Sequence, residues 1–288
     1  MNVKYAIGAA AAAVTAGVVL ENIAPLSVIE DVVKMPAGIS VLPKIVQVSD
    51  LHRRKFGVHN SRLIRKIQSL HPGMIAMTGD QISRDVTDFS ELERLLWALR
   101  GIAPIVMVPG NHELDLPPDL YERYRMVVER CGVHFLENRT EIIGGIPYAG
   151  LTLRQEHYRN AGSYRNLADC TSEDITAALG YCLPGTVLLA HNPLFLEAYA
   201  KWGAVLVLSG HMHGGVVRLP KIGGLLSPER KFFPQYSKGS YTLGQTTMIV
   251  SGGLGKLRLG NPPELRVITS VLQPQLSMPL DLEIQQDN

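Results

Sequence analysis

Seven side chains in the middle of the chain could act together: Asp50, His52, Asp80, Asn111, His191, His211 and His213. They offer carboxylate and amide oxygens and imidazole nitrogens, and no thiolate. Such a set suits divalent ions of borderline hardness (Mn, Fe, Ni or Zn) rather than a structural zinc site. Seven ligands are too many for one such ion and fit two, with a carboxylate able to bridge. Paired cations about 3.5–4 Å apart stabilise the attacking and leaving oxygens of phosphoryl transfer. A water bridging them has a lowered pKa, so hydroxide is available for attack at neutral pH. The expected cofactors are two divalent metal ions, Mn foremost, with Fe, Zn or Ni as alternatives.

Each fragment alone carries little. Asp-x-His arises by chance, Gly-Asp and Gly-Asn are turn signals, and a lone histidine after an apolar run is ordinarily a satisfied buried side chain. The run Gly210-His211-Met212-His213-Gly214-Gly215 is stronger, because it sets two histidines on one face between glycines that allow close approach. What lifts the whole set is its placement, since each fragment directly follows a short apolar run.

Those runs are the elements that must position the chemistry. Strands are expected within Val41–Ser49, at Met74–Thr78, Ile105–Val108, Val187–Ala190, Val205–Leu208, Met248–Val250 and Val267–Val271. Helical spacing marks Ser61–Leu70, stopped by Pro72, as well as Phe89–Leu99 and Tyr121–Cys131. Alternating β and α argues for a layered α/β architecture. In open α/β sheets the residues just past the strands' carboxyl ends converge on one crevice.

In this order the fragments resemble the calcineurin-like metallophosphoesterases, whose pattern is D-x-H, G-D, G-N-H-[DE], H and G-H-x-H. Here it reads Asp50-Leu51-His52, Gly79-Asp80, Gly110-Asn111-His112-Glu113, His191 and Gly210-His211-Met212-His213, within a resemblance spanning roughly residues 44–270. The segments GGVVRLPKIGG, FFPQYSKGSYTLG, SGGLG and NPPEL look most like a bacterial membrane-associated or exported branch. The resemblance implies a four-layer αββα sandwich of two mixed sheets flanked by helices, over residues 40–275. It also implies that Asp50, His52 and His213 hold one metal, that Asn111, His191 and His211 hold the other, and that Asp80 bridges them. His112 would hold no metal and act on the leaving group as the catalytic residue. Relatives of this branch resemble UDP-2,3-diacylglucosamine pyrophosphatases of lipid A synthesis. The implied activity is hydrolysis of a phosphodiester or pyrophosphate, with a lipid-linked substrate as its refinement. Two positions depart from the pattern. Ser83 stands where many relatives carry the aspartate that orients the catalytic histidine, which leaves Asp85 and Glu113 as nearby carboxylates. Gly252 stands where relatives often have arginine.

The rest of the sequence bounds this reading. Across 288 residues, 46% hydrophobic and 19% charged residues exclude a disordered or fibrous chain. Three cysteines (Cys131, Cys170 and Cys182) exclude a disulfide scaffold. A net charge of +2 argues against nucleic acid as a partner, which ranks a nuclease of the same superfamily lower. A metal-free interaction scaffold is the other alternative, and the complete ligand set speaks against it. Residues 215–266 nevertheless hold eight basic and two acidic residues, net +6, which suits a basic rim facing an anionic substrate or membrane. Arg218, Lys256 and Arg258 are its candidate substrate contacts. Tyr5 to Leu20 is uncharged, and its sixteen residues would span roughly 24 Å as a helix against a hydrocarbon core of about 30 Å. Residues 1–24 are thus expected to form an apolar helix serving as a signal peptide or membrane anchor, a helix buried on the domain being the third reading. The expected location is membrane-associated or exported, with the face left open, and residues 276–288 form a tail.

Overall fold

The structure is a computed structural model and describes residues 25–159, 166–215, 217–219, 223–226, 234–255 and 259–272. The expected N-terminal apolar helix and the C-terminal tail lie outside the described residues. In chain order the strands are β1 (Ser27–Met35), β2 (Ile45–Val48), β3 (Met74–Thr78), β4 (Ile105–Val108), β5 (His134–Phe135), β6 (Arg139–Ile143) and β7 (Ile146–Leu151). They continue with β8 (Val187–Ala190), β9 (Leu206–Ser209), β10 (Val217–Leu219), β11 (Gly223–Leu226), β12 (Gly239–Leu243), β13 (Thr246–Val250) and β14 (Glu264–Leu272). The helices are α1 (Ser61–Ser69), α2 (Ser90–Arg100), α3 (Asn111–Leu114), α4 (Pro118–Arg130), α5 (Ser172–Leu179) and α6 (Leu196–Trp202).

The architecture is α/β, with two mixed six-stranded sheets flanked by helices. One sheet runs β1-β14-β2-β3-β4-β5 and is parallel except where β14 meets β2. The other runs β12-β13-β9-β8-β7-β6, parallel at its centre with an antiparallel pair at each edge. The central strands IVQV, MIAMT, IVMV, VLLA and LVLS are buried at every position. Both of their faces are covered, which is why they read as continuous apolar runs rather than alternating ones. Val106, Val108, Tyr148, Leu189, Leu206 and Ile249 belong to the core between the sheets. Leu63, Ile67, Leu95 and Tyr124, from α1, α2 and α4, pack on the first sheet, and Ile175 and Tyr199, from α5 and α6, pack on the second.

The domain begins earlier than residue 40. β1 pairs in parallel with β14 over its whole length, Ser27 opposite Glu264 through Met35 opposite Leu272. Arg266 of β14 forms a two-pronged ion pair with Asp31 of β1, at 2.8 and 2.9 Å. Its Nη1 also donates to Glu264, which is fully buried and takes a second cation, Lys238, and the backbone N–H of Gly252. Lys238 and Arg266, counted in the basic segment, are therefore structural cations facing inward. Five further basic residues of that segment (Lys221, Arg230, Lys231, Lys256 and Arg258) lie outside the described residues.

Candidate metal centre

The carboxyl ends of β2, β3, β4, β8 and β9 meet at one edge of the sandwich, and every expected ligand follows one of them. Asp50 and His52 leave β2, Asp80 leaves β3, Asn111 starts α3 after β4, and His191 and His211 leave β8 and β9. The loops are cross-tied by their backbones. Asp50 N donates to Gly79 O, His52 N to Asp80 O and Gly210 N to His191 O, at 3.0–3.1 Å. Asp50, His52, Asp80, His211 and His213 all hold φ between +51° and +68°. Such backbone costs about 1–3 kcal/mol per residue and persists only where its surroundings enforce it. A side chain at Gly210 would overlap Ser49 Oγ and the Asp50 carboxylate, and one at Gly110 would overlap Asp80. These two glycines let the loops close on the aspartates.

Asp50, His52, Asp80 and His213 form one cluster of donor atoms, and Asp80, His191 and His211 form another. Asp80 belongs to both. His52 Nε2 lies 3.4 Å from His213 Nε2 and 3.8 Å from Asp80 Oδ2, and His213 Nε2 lies 3.6 Å from Asp50 Oδ1. His191 Nε2 lies 3.3 Å from Asp80 Oδ2. Asn111 joins the cavity wall beside Asp80, His211 and His213.

The donor set fits divalent metal. His191 Nδ1 bonds Thr78 O at 2.6 Å, which fixes its tautomer and leaves a lone pair on Nε2. Asn111 Oδ1 is buried without a hydrogen-bond partner, an arrangement that costs energy unless a cation takes it. Burial would raise the Asp80 carboxyl, but His191, His112 and His52 hold it well below the usual carboxylate range. Burial would lower His191, yet Asp80 pushes it up to about 9. In the metal-free protein a proton on His191 thus answers the same negative charge that a cation would answer.

His112 sits at the cavity mouth with its Nε2 4.0 Å from Asp80 Oδ2, and its backbone N–H donates to Asp80 Oδ1 at 2.8 Å. Burial pulls its pKa down to about 4, so the ring is neutral at pH 7. The backbone N–H of Arg84 donates to His112 Nδ1 at 3.2 Å and takes the place of an orienting aspartate. Asp85 instead pairs with Arg53 at the surface. Glu113 does not reach His112. Its carboxylate accepts from the backbone N–H groups of Asp80, Gly110 and Ile82 at 2.8–3.0 Å, locking the two loops together. Burial and the Asp80 charge push Glu113 up to about 7 against the pull of those donors.

Beyond His112 the cavity is lined by Arg84, Arg159, Asp115, Gln155 and Tyr158. Asp115 pairs with Arg84 at 2.6 Å and with Arg159 at 3.6 Å. Arg84 Nη2 stands 3.0 Å from His112 Nε2, so the guanidinium and the backbone N–H of the same residue compete for the one acceptor nitrogen of the neutral ring. These arginines were not among the expected substrate contacts. The one signal in the sequence is that Arg84 falls four residues past Asp80. Of the expected contacts, Arg218 is turned to Gly214 O and Ser237 Oγ and lies off the cavity wall, while Lys256 and Arg258 lie outside the described residues. At Gly252, a side chain would meet the Lys238–Glu264 pair, so in this chain the space beside it is filled by a lysine.

Residues 43–215 match the family model described as calcineurin-like phosphoesterase. Among curated proteins the chain is similar to the uncharacterized metallophosphoesterase YkoQ of Bacillus subtilis, 28% identical with 77% of this chain and 81% of that protein covered. It is also similar to the UDP-2,3-diacylglucosamine pyrophosphatase LpxG of Chlamydia muridarum, 24% identical with 80% and 84% covered. The phosphodiesterase YaeI of Escherichia coli is 25% identical, with 79% and 82% covered. A matched family model over more than half of the chain, and a cluster of ligands at the edge of two mixed sheets, lead to one conclusion: this chain belongs to the calcineurin-like phosphoesterase family and is a metal-dependent hydrolase of phosphoric esters.

Proposed function

We propose that the enzyme hydrolyses a phosphodiester or pyrophosphate bond in a lipid-linked substrate at a dinuclear centre. One cation is held by Asp50, His52 and His213, the other by Asn111, His191 and His211, with Asp80 shared. The observation that carries this reading is the pair of donor clusters with Asp80 in common. Bound there, the cations supply an acidified water and neutralise phosphate charge. The chain's own residues supply the rest. Arg84 and Arg159 take non-bridging oxygens in the fork geometry that guanidinium offers. His112, held by Arg84 at its ring, stands beside the leaving oxygen. Asp115 holds both arginines in place while they await the anion.

The protein loaded with Mn should hydrolyse bis(p-nitrophenyl) phosphate faster than p-nitrophenyl phosphate. Asp80→Ala and His191→Ala should abolish turnover; full activity in either, or no turnover of both substrates by the wild type, refutes the proposal. The lipid-linked refinement is supported by the likeness to a protein named UDP-2,3-diacylglucosamine pyrophosphatase. Incubation with that nucleotide lipid should release UMP, and no release beside a working control removes that substrate. Attachment to the membrane through residues 1–24 belongs to the same proposal and is supported by the uncharged run Tyr5 to Leu20. Among the described residues no helix is long and apolar enough to cross a membrane. The intact mass of protein recovered from membranes should include this segment; recovery of the protein only in the soluble fraction argues against the anchor.

A further inference from the structure

A second cavity, of about 290 Å³, is lined in part by His52. It opens between the segment after β2, the segment after β3 and helix α2. Charged side chains, among them Arg53, Lys55, Asp88 and Glu91, line part of it, and Leu51, Ile82, Val86, Leu92 and Leu95 form its apolar part. Apart from Val86, each of these five apolar residues is at least nine-tenths buried, so the cavity is part of the packed domain. The size and the apolar part of the lining are those of a small-molecule pocket. Two buried polar atoms of the lining stand out. Gln81 donates its Nε2 to Val48 O and Gly79 O, which fixes the amide, and its buried Oε1 has no hydrogen-bond partner. The buried Nδ1 of His52 also has none.

His52 lines the second cavity and its ring packs edge-on against that of His112, which lines the first, with the centroids 4.5 Å apart; the two cavities differ in character. The segment after β3 divides its side chains between them, sending Arg84 to the charged cavity and Ile82 and Val86 to the aliphatic one. One ligand can reach both across the partly exposed edge of His52 if it carries an anionic phosphate joined to an apolar chain.

We infer that the cavity between α2 and the segment after β3 binds an aliphatic chain attached to the substrate's phosphate, making the enzyme selective for amphipathic phosphoesters. This rests on the proposed activity for its reaction but not for its binding. Each buried methylene should tighten binding about fourfold, so three or four of them give about a hundredfold. The test is calorimetric titration of the Mn-loaded protein with methylphosphonate and with dodecylphosphonate below its micelle concentration, since neither probe can be hydrolysed. Dodecylphosphonate should bind at least about a hundredfold tighter. Val86→Trp should fill the mouth and erase most of that gain while leaving methylphosphonate affinity within about twofold; Val86→Arg should do the same by charge. Equal affinity for the two probes in the wild type overturns the inference without using any variant. A chain-length gain that survives in a folded Val86 variant also overturns it, because the chain then lies elsewhere. Failure of the wild type to hydrolyse bis(p-nitrophenyl) phosphate while the chain-length gain persists would refute the activity and leave the cavity's role standing.

Discussion

Removing the Glu113 carboxylate should loosen the metal centre without touching a metal ligand. The side chain is fully buried and accepts three backbone N–H groups, from Asp80 and Gly110 on one oxygen and Ile82 on the other. Glu113→Ala strands all three donors. Each unmet buried donor costs about 1–3 kcal/mol, and water entering the space left by the carboxylate recovers part of that, so the net loss should be about 3–6 kcal/mol. That is a large share of the roughly 5–15 kcal/mol that holds a typical domain together. Glu113→Gln can keep the two bonds to Asp80 and Gly110 with its amide oxygen. Its NH₂ then faces the Ile82 N–H, so it should lose about 1–3 kcal/mol. Because Asp80 is anchored through this carboxylate, Mn affinity should fall about 10–100-fold in the alanine variant, which loses that anchor, and change less in the glutamine variant, which keeps it. Urea denaturation of the metal-free protein measures the first effect, and calorimetric Mn titration the second. An alanine variant that unfolds within about 0.5 kcal/mol of wild type, the range of a neutral surface change, would refute the reasoning.

Other substitutions probe the remaining parts. Gly210→Ala pushes a methyl group into Ser49 and the Asp50 carboxylate, so the purified variant should carry less Mn by elemental analysis, with activity down at least about a hundredfold. Arg159→Ala and Arg84→Lys should each raise KM for a phosphodiester by about tenfold, in line with about 1.5 kcal/mol for one charge-assisted bond; unchanged KM in both would exclude the arginine pair from substrate binding. Glu264→Ala leaves Lys238 and Arg266 facing each other in the interior, and a loss of about 3–5 kcal/mol is expected in thermal or urea unfolding.

Several elements could be read from the sequence because the physics that forms them is local. β3, β4 and β8 occupy the expected residues, since each is a short apolar run buried on both faces and ended by glycine, proline or a polar ligand. The start of the domain could not be read this way. SVIEDVVKM carries two glutamates or aspartates among its apolar residues, and what makes it a strand is backbone pairing to β14 and the Asp31–Arg266 bond across 235 positions. The short edge strands and the helices α5 and α6 were likewise set by packing on the second sheet rather than by strong periodicity. In the basic segment, residue counting treats every cation as surface, whereas Lys238 and Arg266 are tied to buried Glu264.

The sequence by itself determined which atoms are available to a metal, because donor type is a property of the residue and each ligand follows an apolar strand. Only the tertiary structure decided how those atoms are shared and supported: Asp80 common to both clusters, Glu113 tying two loops, and a backbone amide at Arg84 aligning His112 where Ser83 cannot. It also decided that Arg84 and Arg159, which no motif joins, line the cavity beside His112. Their meeting at Asp115 depends on contacts between loops far apart in the chain, and such contacts exist only once both sheets have packed.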